Sequence, residues 1–257
     1  MGISTHVSLA GVERSPEGSA GTRALIEWAA QSGLRGVRLD ATKPDVRPRA
    51  LDRSARRDLA ASIRRSGLAF GGVDLLIPAE HFTDPVHAQR AADATARACE
   101  LAADLAGLTG DADARTVAVV LPAEAPDRMV ADLNDAAADV GVTLADCAHP
   151  ARDDASRAHV LAGIDPPSVI VGGESPAKLA ARLGAQLAHA RLADVSGIGR
   201  CAVGSAGGKL DVTAYAAALA VAGVHAVTID LRGLRDVDAG LHAAQEAWAQ
   251  ALTLPGM

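Results

Sequence analysis

Aromatic residues are scarce, 2% of 257 residues: two Trp, two Phe and one Tyr. A platform for single-stranded nucleic acid stacks bases on aromatic rings, so that class is disfavoured. An excess of positive charge is also missing. The net charge is -6, which argues against a broad phosphate-backbone footprint and leaves room for a local basic pocket. Cysteine is limited to Cys99, Cys147 and Cys201, an odd number with no C-x-x-C pair, so no disulfide framework is expected. No basic segment leads into an apolar one at the N-terminus, and a cytoplasmic protein is expected. The longest apolar run, Ala214 to Val224, is about two-thirds of a membrane span, so no membrane association is expected. G-x-S-x-G, H-E-x-x-H and the Walker motif are absent, as is a G-x-G-x-x-G opening a helix after the first strand.

What is present is a regular alternation. Hydrophobic residues make up 49% and charged residues 22%, enough for a sizeable core. Short β-rich runs alternate with Ala- and Leu-rich stretches at helical spacing. The expected strands are Ile3–Leu9, Leu34–Leu39, Leu68–Leu75, Thr116–Leu121, Val142–Cys147, Ser168–Val171, Leu187–Leu192 and His225–Leu231. Asp84-Pro85, Ser175-Pro176 and Asp211 signal helix starts. Gly33-Leu34, Gly67-Leu68, Gly141-Val142 and Gly223-Val224 signal helix ends, where glycine takes the left-handed conformation. Between Gly33 and Gly223 lie six strand–helix units of roughly 32 residues each, and about eight such units fill the chain. Strands separated by helices run parallel, and eight of them predict an α/β chain folded over residues 1–257 as a single-domain (β/α)8 TIM barrel. An open doubly wound sheet is the alternative. The loop-like stretches Gly11–Gly21, Ala41–Arg49 and Ser196–Lys209 follow strands, and such loops crowd the C-terminal face of a barrel.

Three segments carry a family resemblance: AHARLAD (188–194), GSAGGKLD (204–211) and AGVHAVTIDL (222–231). Together with GVTLADCAHP (141–150) and GLAFGGVDLLIPAEHFTDP (67–85), they resemble the xylose isomerase-like TIM barrels, in particular the sugar phosphate isomerases/epimerases. The resemblance implies a divalent metal held at four strand ends by Glu, Asp, His and Glu. This sequence departs from that pattern. Cys147 stands at the fifth-strand Glu, Val171-Gly172-Gly173 at the sixth-strand Asp, Arg191 at the seventh-strand His and Asp230 at the eighth-strand Glu. Arginine has no lone pair to give a metal. The expectation is therefore no cofactor and no tightly bound metal at the family position, with a guanidinium supplying the charge instead.

The candidate catalytic residues are Asp230, His149 and His6, and the candidate substrate-binding residues are Arg191, His81, Glu80, Asp74 and Asp40. Imidazole and carboxylate groups move protons, and the guanidinium fork binds carboxylate, phosphate or enediolate oxygens. Arg191 also has a structural reading, an ion pair with Asp230 or Asp194. Cys147 is a nucleophile only if a cation lowers its pKa. Gly204–Lys209 reads as a phosphate nest or as a plain turn. His189 shares a strand face with Arg191. The expected ligand is a small carbohydrate-like molecule, polyhydroxylated or phosphorylated, that undergoes proton transfer next to a carbonyl. A non-catalytic ligand-binding or subunit partner is the alternative. No nucleic-acid partner is expected, and a homo-oligomer is left open.

Overall fold

Strand-forming runs punctuated by glycine at helix ends build the barrel. The structure, a computed structural model, describes residues 3–13, 21–152 and 158–253. Part of the expected loop Gly11–Gly21 (14–20) lies outside the described residues. The barrel strands are β1 (Ser4–Ser8), β2 (Gly36–Asp40), β3 (Ala69–Asp74), β4 (Thr116–Val119), β5 (Thr143–Asp146), β6 (Val160–Ile164) and β7 (Leu187–Leu192). A hairpin follows, β8 (Asp194–Ser196) with β9 (Gly199–Cys201), and β10 (Ala226–Ile229) completes the barrel. The order β1-β10-β7-β6-β5-β4-β3-β2 closes on itself, and every barrel pairing is parallel. The open-sheet alternative is thereby excluded.

The outer layer holds α1 (Thr22–Gln31), α2 (Arg53–Arg65), α3 (Ala88–Thr109), α4 (Asp127–Asp139), α5 (Pro166–Val171), α6 (Pro176–Leu183), α7 (Val212–Val221) and α8 (Val237–Thr253). Asp52, Ser175 and Asp211 cap α2, α6 and α7 by accepting a backbone N–H of the first turn. Among the described residues no helix is long and apolar enough to cross a membrane.

One expected strand is corrected. Ser168–Val171 lies in α5, and the sixth barrel strand is Val160–Ile164. A short apolar run is ambiguous between strand and buried helix by pattern alone. Asp165 followed by Pro166-Pro167 decides it, because proline suits the first turn of a helix. The correction moves the sixth-strand end from Val171-Gly172-Gly173 to Asp165.

Strand alternation sends the aliphatic side chains outward to the helices. Val7, Leu9, Val37, Leu39, Val117, Val119, Leu144, Ile164, Leu192, Val227 and Ile229 are buried in that layer. Barrel interiors are ordinarily filled by branched aliphatics. Here the buried set includes Ser8, Arg38, Asp74, His189, Arg191, Thr228 and Asp230. His6 and His189 line a cavity at the N-terminal mouth. Burial and the Arg38 charge push the His6 imidazole down to about 4, while Asp111 opposes the shift. Burial, Arg38 and Arg191 push His189 well below the ordinary histidine value.

A histidine kept neutral in the fold and free to protonate when unfolded makes stability rise with pH between the folded and unfolded values. For His6 that window runs from about 4 to 6.5. Its contribution is fully present above pH 6.5, and up to about 3 kcal/mol is lost on acidification to pH 4. Urea midpoints of wild type and His6→Gln should therefore converge toward pH 7 conditions and diverge in acid, with the variant less acid-sensitive. Parallel pH profiles would contradict this assignment.

Candidate functional site

The C-terminal face is organised around Arg191. Two residues beyond His189 on β7, its side chain is 2% exposed and points into the barrel. Nη1 donates to Asp230 at 3.2 Å, and Nη2 donates to Asp74 at 3.0 Å. Asp74 ends β3 and also accepts from Ser8 Oγ at 2.5 Å and from Arg38 Nε at 3.5 Å. Arg38 places its remaining donors on Gly71 and Val73 carbonyls and on Thr116 Oγ1.

Two further arginines, absent from the sequence-based candidates, complete the cluster. Arg232, just past β10, donates Nε to both Asp230 oxygens at 2.9 and 3.0 Å. Arg200, on the β8–β9 hairpin, grips both Asp165 oxygens at 2.7 and 2.9 Å and reaches Asp230 at 3.1 Å. Burial opposes the charge on Arg191, yet Asp74 and then Asp230 and Asp165 raise its pKa above the usual arginine value. Burial by itself would raise the Asp230 carboxyl. The Arg232 hydrogen bond and the charges of Arg191, Arg232 and Arg200 instead hold it well below the usual carboxylate range. Asp230 is therefore a fixed anion, poorly suited to exchange a proton near neutrality.

The other candidates fall in different places. His149 follows β5, with its Nδ1 3.9 Å from a Glu174 oxygen and without a hydrogen-bond partner. Its ring lies over Gly172, where an added Cβ would come within 2.2 Å, so only glycine leaves it room. His6 sits mid-strand on β1 and lines the N-terminal mouth, away from the face for which it was a candidate. The physical reason is strand polarity: Ser8, two residues on, is the β1 side chain that reaches Asp74. Glu80 and His81 lie in a 3-10 turn (Ala79–Phe82), and His81 stacks on His87 with ring centres 4.5 Å apart. Asp40 ends β2 and binds the Thr42 N–H and hydroxyl, at 2.9 and 2.5 Å.

Cys147 is buried, and burial pushes its thiol up to about 12 despite Arg191, which leaves no thiolate for nucleophilic attack. Asp194 accepts the backbone N–H groups of Val195, Lys209 and Leu210. Within Gly204–Lys209 the Lys209 amide is thus committed, and those of Ser205 and Gly208 donate to the Ala202 and Ser205 carbonyls, which supports its reading as a turn. Asp146 pairs with Arg152 at 2.8 Å. The missed residues had one usable signal, since Asp165-Pro166 repeats the Asp-Pro pattern of Asp84-Pro85. The expected helix start at Asp84-Pro85 is itself corrected, because α3 begins only at Ala88, with His87 before it and Asp84 in the preceding turn. Arg200 and Arg232 had none, because their reach depends on a hairpin and a loop.

The donors do not suit a divalent cation. Among the described residues, no group of three or more His, Cys, Asp or Glu side chains is arranged to hold one. Asp74, Asp165 and Asp230 each carry at least one guanidinium, and Arg191 lies between two of them.

No protein-family model matches the chain, and no curated protein matches it in sequence. Solved structures do match. A structure of L-ribulose 3-epimerase is 16% identical, with 99% of both chains covered and a TM-score of 0.69. D-allulose 3-epimerase from Methylomonas sp. is 14% identical, covering 97% of this chain and 98% of its own, with a TM-score of 0.67. A xylose isomerase-like TIM barrel protein from Mycobacterium smegmatis, in complex with magnesium, is 13% identical, covering 98% and 96%, with a TM-score of 0.65. At these identities the likeness establishes the fold, a (β/α)8 barrel shared with these proteins.

Replacing Arg191 by Ala removes one charged hydrogen bond each from buried Asp74 and Asp230, which keep Arg38 and Arg200 with Arg232 as partners, and costs roughly 3 kcal/mol. Chemical denaturation should show that loss in the midpoint. A midpoint within experimental error of wild type would mean that the pair contributes nothing to folding.

Proposed function

We propose that this chain, with its xylose isomerase-like TIM-barrel fold, is a sugar isomerase/epimerase-like protein that works without the divalent metal. The observation that carries this reading is the charge balance of the C-terminal cluster. Among the described residues, Arg38, Arg191, Arg200 and Arg232 pair with Asp74, Asp165 and Asp230. Within that described set one guanidinium charge is left over. Arg200 and Arg232 are 23% and 24% exposed, so the surplus reaches solvent at the cluster's outer edge. That edge suits the phosphate, carboxylate or enediolate oxygen of a small polyhydroxylated substrate.

Proton transfer next to a carbonyl needs a base and a stabiliser for the developing oxyanion. Arg200 and Arg232 serve as the stabiliser. Among the candidate bases, Asp230 is tied up by three arginines, whereas His149 Nδ1 is unpartnered with Glu174 beside it. His149 is therefore the proposed base, and Glu174 the group that would steady its cationic form. The immobilised Asp230 also favours a second reading, a barrel that binds such a ligand without converting it.

The test is deuterium incorporation from D2O into pentulose and hexulose phosphates, followed by NMR with and without EDTA. Exchange at the carbon next to the carbonyl, insensitive to EDTA and at least tenfold slower in Arg200→Ala and His149→Gln, supports the enzyme. Saturable binding without exchange supports the second reading. Protein purified without chelator should hold well below one equivalent of Mn, Mg, Co or Zn. A stoichiometric metal, or exchange abolished by EDTA, would overturn the metal-free assignment.

A further inference from the structure

A second polar cavity opens at the opposite end of the barrel. It measures about 520 Å³ and sits among strand starts and helix-to-strand loops, lined by Ser4, Thr116, Ala226 and the Gly110–Ala114 segment. That size is ordinary for a small-molecule site. Its deeper wall is formed by His6, His189 and Arg38. Glycine at two neighbouring positions leaves room for the His6 ring in that wall. A Cβ on Gly36 would fall 2.7 Å from the His6 ring, and one on Gly71 would meet the same ring.

We infer that this N-terminal cavity binds a small, neutral, polyhydroxylated molecule, such as a pentose-sized sugar or alditol. The first reason is an unmet hydrogen-bonding need. His189 is 5% exposed, and its Nε2 is buried without any partner. Buried polar atoms are nearly always paired, and leaving one unpaired is costly. The second reason is a mixed set of donors and acceptors. Ser4 Oγ, already donating to the His225 carbonyl, lies 3.5 Å from His6 Nε2. Thr116 Oγ1 accepts from Arg38 and so keeps its own hydrogen to donate. His6 and His189 are held neutral, so each offers one donor and one acceptor.

Charge then selects the class. At the inner end, Arg38 shares Asp74 with Arg191, so its charge is only partly balanced and a cationic ligand is repelled. At the mouth, Asp111 and Asp113 repel an anion. A neutral ligand with several hydroxyls satisfies both ends. Arg38 is common to both networks, but the cavity lies at the other end of the barrel from the Arg200 and Arg232 rim.

The experiment uses full-length protein labelled with ¹⁵N-histidine, with the ring signals of His6 and His189 assigned by His6→Gln and His189→Gln. Xylitol and D-xylose serve as neutral probes, D-gluconate as the anion and D-glucosamine as the cation. The expected result is a saturable shift of both ring signals with the neutral probes, and binding at least tenfold weaker for the charged ones. His189→Phe keeps the ring shape and removes the unpaired nitrogen, so it should fold while binding at least tenfold more weakly. Thr228→Val, a buried cavity-lining change, gives the same readout if that variant does not fold. Arg200→Ala should leave the shifts intact, which separates this site from the C-terminal one. Ring signals unmoved by 50-fold excess of the neutral probes over protein, a stronger response to gluconate or glucosamine, or undiminished binding in the foldable variant would each overturn the inference.

Discussion

Placing a guanidinium inside a closed β-barrel is the constraint on which the rest of this structure depends. Stripped of water, Arg191 is tolerable only with carboxylates in contact, and Asp74 and Asp230 supply them from β3 and from the end of β10. β3 lies across the barrel from β7, so the Arg191–Asp74 pair crosses the interior and ties opposite walls together, while the Arg191–Asp230 pair joins neighbouring strands. Each carboxylate then recruits further partners: Ser8 and Arg38 for Asp74, Arg200 and Arg232 for Asp230. The upper interior is thus filled by a charged network rather than by aliphatic side chains. The hydrophobic core is correspondingly displaced to the layer between strands and helices.

The same substitution divides the barrel lengthwise. Arg38 extends from the N-terminal cavity to Asp74 and uses its donors on Gly71, Val73 and Thr116 along the way. Above it the groups are ionised and paired. Below it they are imidazoles and hydroxyls, with burial keeping the imidazoles uncharged. One chain therefore presents two different polar environments at its two ends.

Much of the fold was legible because the signals are local. Glycine followed by an apolar residue marked helix ends at Gly33, Gly67, Gly141 and Gly223, and all four have positive φ. The strand Leu187–Leu192 has the same limits in sequence and structure. The sixth strand was missed because Val169-Ile170-Val171 is richer in β-branched residues than Val160–Ile164, and β-propensity yields to context. Legibility of the site followed the same line. Arg191 and Asp230 were readable since their facing direction follows from strand alternation. Arg200 acts through a hairpin that folds back over the barrel, and Arg232 through a loop, so no spacing rule reports them. His6 lies at the N-terminal end rather than the C-terminal face, since a strand pattern shows which face a residue takes but poorly fixes how far along the barrel it lies.

A guanidinium can take the place of a metal's charge without taking over its chemistry. A divalent ion offers coordination positions that a substrate oxygen can enter and leave. Arg191 has no such vacancy toward Asp74 and Asp230, since a terminal nitrogen is committed to each. Any electrostatic catalysis at this face must therefore come from cations at its rim. Arg200 and Arg232 meet that condition, being anchored on one side by Asp165 and Asp230 and partly open on the other. Placing a metal here would require more than changing Arg191 to histidine. Asp165 and Asp230 would still be held by Arg200 and Arg232, and a cation could reach them only by displacing charges already in contact. The mismatch between this donor set and a divalent cation therefore belongs to four arginines acting together, not to Arg191 alone.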